Sequence, residues 1–470
     1  LSIVGLPEAA VRESKDRVRA AIQNSQFEFP ARRITVNLAP ADLPKDGGRY
    51  DLPIAIGILV ASGQIKHEQL GDYEFHGELS LNGDIRPASG ALPIALAATR
   101  NQRTLIMAPE NARQAALVEK AEILEAGHLL DVCRFLINDE VLPSPEPGLS
   151  QVEEHPLDMQ DVQGQPRARR ALEIAAAGRH NMLMIGPPGT GKTMLASRLP
   201  GILPAMTEPQ ALEAAAIQSI SQQDFDISQW KQRPFRAPHH TASGVALVGG
   251  GSIPRPGEIS LSHQGVLFLD ELTEFDRRVL DVLREPLETG QITISRAARQ
   301  ADFPARFQLI AAMNPCPQGY SCDGKQLCQC SAEQQRKHMS RVSAPLLDRI
   351  DIHIEVPRVP HQELKQDSAG NEGSQTIRSR VEKAFERQMT RQGKANADLS
   401  SREVEVHCKL AEAEQKLLDQ AVDHLRLSAR AYHRILKLAR SIADLQDSDT
   451  INQTHLSEAI SYRSMDRLLS

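Results

Sequence analysis

At 470 residues the chain exceeds one ordinary hydrophobic core and fits roughly two to four domains. It is 41% hydrophobic and 24% charged, the balance of a soluble globular protein, and 54 Lys and Arg against 60 Asp and Glu give a net charge of −6. That excludes a wholly basic nucleic-acid binder but leaves room for a local basic channel. No run approaches the roughly eighteen apolar residues of a membrane span, so no membrane partner is expected.

The chain opens Leu1-Ser2-Ile3-Val4-Gly5, in mid-strand, so an N-terminal piece is expected to be missing; no secretory signal is visible. Residues 1 to 142 alternate apolar runs with helical stretches. Ala9 to Asn24 reads as a helix with Val11, Val18 and Ile22 on one face, and Ile34 to Leu38 as a strand. Leu52 to Ser62 and Ala91 to Thr99 are apolar helices, and Leu105-Ile106-Met107 is another strand. This is an α/β domain. Val141 to Gly148, with three prolines and a glycine, supports neither helix nor central strand, so residues 143–156 form a linker. A second α/β domain spans 157–358. A C-terminal region, 359–470, reads as all helix after a polar stretch: Thr376–Arg391, Ala411–Arg426, Ser428–Leu445 and Gln453–Leu468.

The cysteines are uneven. Cys133 and Cys408 stand alone and four others crowd between Cys316 and Cys330, which is no secreted disulfide framework and places the chain in a reducing cytoplasm. One Trp and five Tyr argue against aromatic stacking as the main binding device.

The second domain carries the chemistry. Gly186-Pro187-Pro188-Gly189-Thr190-Gly191-Lys192-Thr193 follows the apolar strand Met182–Ile185 and opens a helix at Met194. Its glycines permit a tight loop whose backbone N–H groups wrap phosphates; Lys192 reaches the β/γ-phosphates of ATP and the Thr193 hydroxyl takes Mg²⁺. Val266-Leu267-Phe268-Leu269 is a buried strand ending in Asp270, which can hold the Mg²⁺ water shell, and Glu271, which can polarise the attacking water. A third apolar strand, Gln308 to Met313, ends in Asn314, either a water-placing amide or a turn Asn. Arg349 is a candidate arginine finger, and Arg430 opens a helix in the last region. From spacing alone, either arginine reads as a surface ion pair.

Together these residues resemble the AAA+ ATPases, and more closely the magnesium-chelatase-like branch that includes the ComM (YifB) proteins. The family-like segments are Phe235-Arg236-Ala237-Pro238-His239-His240-Thr241-Ala242-Ser243, Gly257 to His263, Gly265 to Leu272 and Leu347-Asp348-Arg349, and the resemblance covers nearly the whole chain. It implies a Lon-like α/β N-terminal domain, a P-loop α/β domain with a parallel sheet and a C-terminal helical lid. It also implies a homohexameric ring with ATP at subunit boundaries, Asn314 as sensor 1, Arg349 as the finger offered to a neighbour's ATP and Arg430 as sensor 2, in cis or in trans.

The resemblance identifies Val245 to Gly257, which includes Arg255, with the helix-2 insert and Gln291 to Phe307 with the hairpin before sensor 1. In ring helicases both line the pore, so Arg296 and Arg299 would touch DNA phosphates; the bland alternative is a solvated tip. His239 and His240 read as structural, since neighbouring side chains on a helix diverge by about 100°. Cys316, Cys322, Cys328 and Cys330 put four thiols in fifteen residues, enough for tetrahedral Zn²⁺, although the spacing lacks the usual C-x₂-C knuckle. Four free thiols are the alternative. Where similar chains carry Cys-Pro-Cys-Gly, this one has Cys316-Pro317-Gln318-Gly319, and Cys322 would replace the absent thiol.

The first region resembles the Lon proteolytic domain at Pro44-Lys45-Asp46-Gly47-Gly48-Arg49-Tyr50-Asp51 and at Gly77 to Pro87. Arg49 stands at the nucleophilic serine position, and Ser89 to Ala95 lacks the expected lysine. A Ser–Lys dyad needs both partners, so no peptidase activity is expected, and oligomerisation or DNA admission is the remaining role. The expected function is a hexameric ATP-dependent DNA helicase driving branch migration during natural transformation, with recombination proteins as further partners. The alternative is a magnesium-chelatase motor subunit acting on a protein or porphyrin partner.

Overall fold

The computed structural model describes residues 1–6, 8–40, 45, 47–138, 140–146, 157–221, 225–251, 254–296, 299–318, 330–360, 371–425 and 427–463. They form two compact units: Leu1–Gln151 with Ala215–Trp230, and Val152–Ala214 with Lys231–Ser470.

In the first unit a parallel sheet runs Tyr73–His76, Thr104–Met107, Ile123–Glu125. Helices Ala9–Asn24, Asp51–Ala61 and Ala91–Arg100 match the expected ones, and Leu129–Asn138 was not anticipated from sequence. Val18, Ile22, Leu52, Ile56, Leu59, Ile106 and Leu129 share one core. Asp51 is fully buried there, where Arg17 grips it with two hydrogen bonds of 2.7 and 3.2 Å and the Leu79 N–H adds a third. Residues 215–230 join this unit: Gly90 N donates to Ser219 O, and Gln114 Nε2 to Phe225 O.

The second unit is built on a five-stranded parallel sheet in the order Ile352–Glu355, Met182–Ile185, Gln308–Met313, Val266–Leu269, Phe235–Arg236. Helices cover both faces, so the central strands read as continuous apolar runs. The pleat splits them between two cores. Met182, Met184, Val266, Phe268, Ile310 and Ala312 face the helix Pro166–Gly178 and the C-terminal helices. Leu183, Ile185, Leu267, Leu269, Leu309, Ala311 and Met313 face the other way, onto Leu247, Ile259, Ile292, Ile294 and Phe303.

The expected C-terminal helices are Ser374–Gln392, Glu412–Leu425, Ala429–Leu445 and Gln453–Ser461, with Ser401–His407 added. The last helix ends earlier than the apolar pattern suggested, and residues 464–468 lie outside the described ones. Gly178 permits the closest approach in this layer, since a Cβ there would lie 2.3 Å from both His180 Nε2 and Ser441 Oγ. Among the described residues no helix is long and apolar enough to cross a membrane.

Candidate active site

Parallel strands deliver their C-terminal ends to one edge of a sheet, where α/β proteins bind ligands. Here that edge carries Gly186 to Thr193 after Met182–Ile185, Asp270 and Glu271 after Val266–Leu269, Asn314 after Gln308–Met313, and His239 and His240 just beyond Phe235–Arg236.

The loop turns on left-handed glycines, Gly189 at φ 76° and Gly191 at φ 81°, where any side chain would be strained. Gly186 lets the chain pass Val356 O, which a Cβ would meet at 2.2 Å. Thr190 Oγ1 donates to Pro187 O, and Gln165 Nε2 donates to Thr190 O at 2.6 Å, bracing the loop from the helix Pro166–Gly178. Gln165 carried no sequence signal.

Lys192 is buried, and its ammonium donates to Gly186 O at 2.8 Å and Pro187 O at 2.9 Å, with Asn314 Oδ1 at 3.4 Å. Burial lowers its pKa, while the charges of Asp270 and Glu271 pull it up. Thr193 Oγ1 donates to Asp270 Oδ2 at 2.6 Å. A hydroxyl and a carboxylate side by side are the hard oxygen donors that suit Mg²⁺, so the residues present fit the ion. Asp270 Oδ1 in turn accepts from Glu271 N, whose residue adopts a left-handed φ of 51°. That backbone turns the exposed Glu271 carboxylate toward His240, whose Nδ1 stands 3.0 Å from Oε2.

The pair His239–His240 therefore needs a correction. It lies in a turn, not on a helix, so the two rings do not diverge: their centroids are 4.1 Å apart. Sequence reasoning also missed His338, on the helix Ala332–Met339. Its Nε2 lies 3.1 Å from Asn314 O and 3.2 Å from Thr273 Oγ1, joining the Asn314 turn to the segment after Glu271.

Arg349 is elsewhere. It precedes the strand Ile352–Glu355, at the opposite edge of the sheet from the loop. Its guanidinium donates to Pro345 O and pairs with Glu288. Burial lowers its pKa, Glu288 opposes that, and the charges of Arg430, Arg284 and Arg434 add to the lowering; Arg430 itself is exposed. The structure thus brings Lys192, Thr193, Asp270, Glu271 and Asn314 together and leaves Arg349 apart from them.

Arg255 is exposed in a two-residue ladder, Gly249–Gly250 with Arg255–Pro256. The hairpin strands Gln291–Arg296 and Arg299–Pro304 pair antiparallel and close at Arg296 opposite Arg299; the side chains of those two arginines lie outside the described residues. Cys316 is buried and Cys330 partly exposed, while Cys322 and Cys328 lie outside the described residues. Among the described residues no group of three or more His, Cys, Asp or Glu could hold a metal.

A parallel sheet with this loop, acidic strand end and flanking helices is that of an AAA+ ATPase of magnesium-chelatase type, which implies ATP and Mg²⁺. Three family models agree: magnesium chelatase, subunit ChlI, matches residues 158–364, its C-terminal region residues 371–463, and subunit ChlI of Mg-chelatase residues 1–111. The chain is 53% identical to competence protein ComM of Haemophilus influenzae and 51% identical to the YifB protein of Escherichia coli; each match covers 100% of this chain and 92% of the relative. The magnesium-chelatase 38 kDa subunit of Cereibacter sphaeroides is 23% identical over 34% of this chain and 53% of its own length. The chain belongs to the ComM (YifB) family of magnesium-chelatase-like AAA+ ATPases.

Proposed function

We propose that this ATPase is a cytoplasmic DNA motor: a homohexameric ring that hydrolyses ATP to translocate DNA and promote branch migration during natural transformation. One observation carries the reading. The strands that end in the phosphate loop, Asp270–Glu271 and Asn314 send Leu183, Ile185, Leu267, Leu269, Leu309 and Met313 into the same core as Leu247 of the insert and Ile292, Ile294 and Phe303 of the hairpin. Close-packed cores transmit displacement, so a shift at the phosphates reaches both elements assigned to the pore.

In this reading the phosphate loop cradles the triphosphate with its backbone N–H groups and Lys192. Thr193 and Asp270 hold Mg²⁺, which neutralises charge on the phosphate oxygens. Glu271 accepts the proton of the attacking water and Asn314 orients that water. Arg349, at the far edge of its own sheet, serves the neighbouring subunit's γ-phosphate. Arg430 is proposed to act in trans as well, since its charge is felt at Arg349. The arginines Arg255, Arg296 and Arg299 contact DNA phosphates. The residues 1–142 keep the Lon-like fold without its dyad: Arg49, at the serine position, has Nη1 3.7 Å from where a Cβ on Gly90 would sit. Cys316, Cys322, Cys328 and Cys330 hold a structural zinc. Metal analysis of purified chain tests that: one zinc per chain is expected, and none would overturn it.

The match to a competence protein supports the DNA reading, whereas the chelatase subunit matches only 34% of the chain. ATP hydrolysis is to be measured with and without single-stranded, duplex and forked DNA. Strong stimulation, greatest on forks, is expected. Hydrolysis indifferent to all three would favour the chelatase-type motor. Glu271→Gln should keep ATP binding and reduce hydrolysis by about a hundredfold or more.

A further inference from the structure

The loop that carries Arg349 is held from the C-terminal helices. Arg434, on the helix Ala429–Leu445, donates through Nη1 to the backbone carbonyl of Arg349 itself, at 3.2 Å, and to Asp351 Oδ1. Asn181 donates its side-chain amide to the same Arg349 carbonyl at 3.1 Å and its backbone N–H to Asp351 Oδ2 at 3.1 Å. Arg463 donates to Ile350 O. Three consecutive residues, Arg349, Ile350 and Asp351, are thereby tied to groups outside their own segment.

Asp351 is 3% exposed. Burial alone would raise its carboxyl, yet Arg434 and then His180 hold it well below the usual carboxylate range. The network continues inward. His180 Nδ1 lies 3.4 Å from Asp351 Oδ2, and His180 Nε2 lies 2.7 Å from Ser441 Oγ. Asn396 Nδ2 donates to Ser441 Oγ and to Asp444, which Arg391 grips with two bonds of 2.7 and 2.8 Å. His180 Nδ1 and Arg434 Nε have no hydrogen-bond partner among the described residues, but the other buried polar groups named here are paired, and such pairing favours one arrangement.

Arg430 stands four residues before Arg434, one turn along the same helix, so the two share a face. A rotation of that helix would move Arg430 and the Arg349 backbone together.

We propose that Arg434 and Asp351 are positioning residues that clamp the Arg349 loop to the C-terminal helices, so that the helical region of one subunit sets the ATPase rate of its neighbour. This rests on the reading of Arg349 as a finger acting in trans. Misplacing a phosphate-contacting group by about 1 Å can cost on the order of a hundredfold in rate, so the clamp need move little to matter.

Mixing variants of the full chain tests it. Arg434→Met, Asp351→Asn, Arg349→Ala and Lys192→Ala are each expected to lower kcat for ATP hydrolysis by about tenfold or more. Arg434→Met and Asp351→Asn should leave binding of a fluorescent ATP analogue within about twofold of the parent, since the phosphate loop lies at the other edge of the sheet. Mixed one to one with Lys192→Ala, each of the other three places an intact phosphate loop against an intact finger at about a quarter of the boundaries of a ring, and hydrolysis should return there. If Arg349→Ala is not restored, the trans reading fails and the clamp with it. If Arg349→Ala is restored but Arg434→Met and Asp351→Asn are not, the clamp alone is overturned. Parent-like kcat in both clamp variants overturns it too. Arg434→Lys, which keeps a cation for Asp351, guards against a folding defect: recovery to within about threefold of the parent supports the clamp, and continued loss in a melted chain is read from Asp351→Asn instead.

Discussion

His240 Nδ1 lies 3.0 Å from Glu271 Oε2, so the carboxylate proposed to activate water already has a partner on the neighbouring strand's extension. The contact is half open to solvent, with side-chain exposures of 29% and 51%. Such a pair is worth about 0.2–1 kcal/mol. Releasing Glu271 from it should raise DNA-independent ATP hydrolysis up to about fivefold, and His240→Ala is expected to do so while reducing the further stimulation by DNA. Steady-state hydrolysis with and without forked DNA reads both. A fall to the level of Glu271→Gln would instead make His240 a group that orients the carboxylate.

Arg349 is parked in an analogous way. Its guanidinium pairs with Glu288, whose side chain is 52% exposed, and its buried Nε has no hydrogen-bond partner among the described residues. To reach a neighbour's γ-phosphate the guanidinium must exchange Glu288 for phosphate oxygens. Glu288→Gln keeps the shape and removes the competing charge. Its expected effect is a rise in kcat of up to about fivefold, the equivalent of about 1 kcal/mol for a partly exposed pair. Unchanged kcat would mean that release of Glu288 does not limit the step.

Residue types with strict local geometry were legible in the sequence. The loop glycines, Lys192, the acids after Val266–Leu269 and Asn314 announce themselves because tight turns and buried strand ends admit few residues. The strands Met182–Ile185 and Val266–Leu269 match their apolar runs residue for residue. What stayed hidden depends on juxtaposition across distant segments. Gln165 braces Thr190, His338 joins Asn314 to Thr273, and Arg434 holds the Arg349 carbonyl, 85 positions away. No periodicity encodes such pairs. His239 and His240 misled for a local reason: the helix assumed for them is a turn, which brings the rings face to face at a tilt, with centroids 4.1 Å apart. Residues 215–230 join the first unit although they sit within the ATPase region of the chain, which composition could not reveal.

The hairpin supplies a separate prediction. Its strands hold Ile292 and Ile294 in the core, and its closing pair, Arg296 opposite Arg299, stands at the end away from Gln291 and Pro304. Arg296→Ala with Arg299→Ala should therefore weaken DNA binding without disturbing the core. Each lost phosphate contact lowers the slope of log affinity against log salt by about one, so the double variant should lose about two. Binding measured across a salt series checks this, and an unchanged slope would remove the hairpin from the DNA path. Basal ATP hydrolysis without DNA should stay near the parent's.

The first unit carries its own titration. His76 is 2% exposed, and its Nε2 lies 3.3 Å from Ala88 O. Burial pushes its pKa down to about 4 from the ordinary 6.5; the Ala88 contact opposes this and the Arg49 charge reinforces it. A histidine depressed in the folded state binds its proton more readily when unfolded. Its contribution is therefore complete above about pH 6.5, where both states are neutral, and is lost as pH falls toward 4. The full difference amounts to about 3 kcal/mol. Hydrogen exchange of the amides in Tyr73–His76 should thus accelerate between pH 7 and pH 5 beyond the intrinsic change in exchange rate. His76→Gln, which has no proton to gain, should flatten that dependence even if it lowers stability at every pH. Arg49→Ala should weaken the dependence slightly, because removing the cation that helps hold His76 neutral brings the folded-state pKa closer to the unfolded one. An identical pH dependence in the parent and His76→Gln would assign the loss of protection to another group.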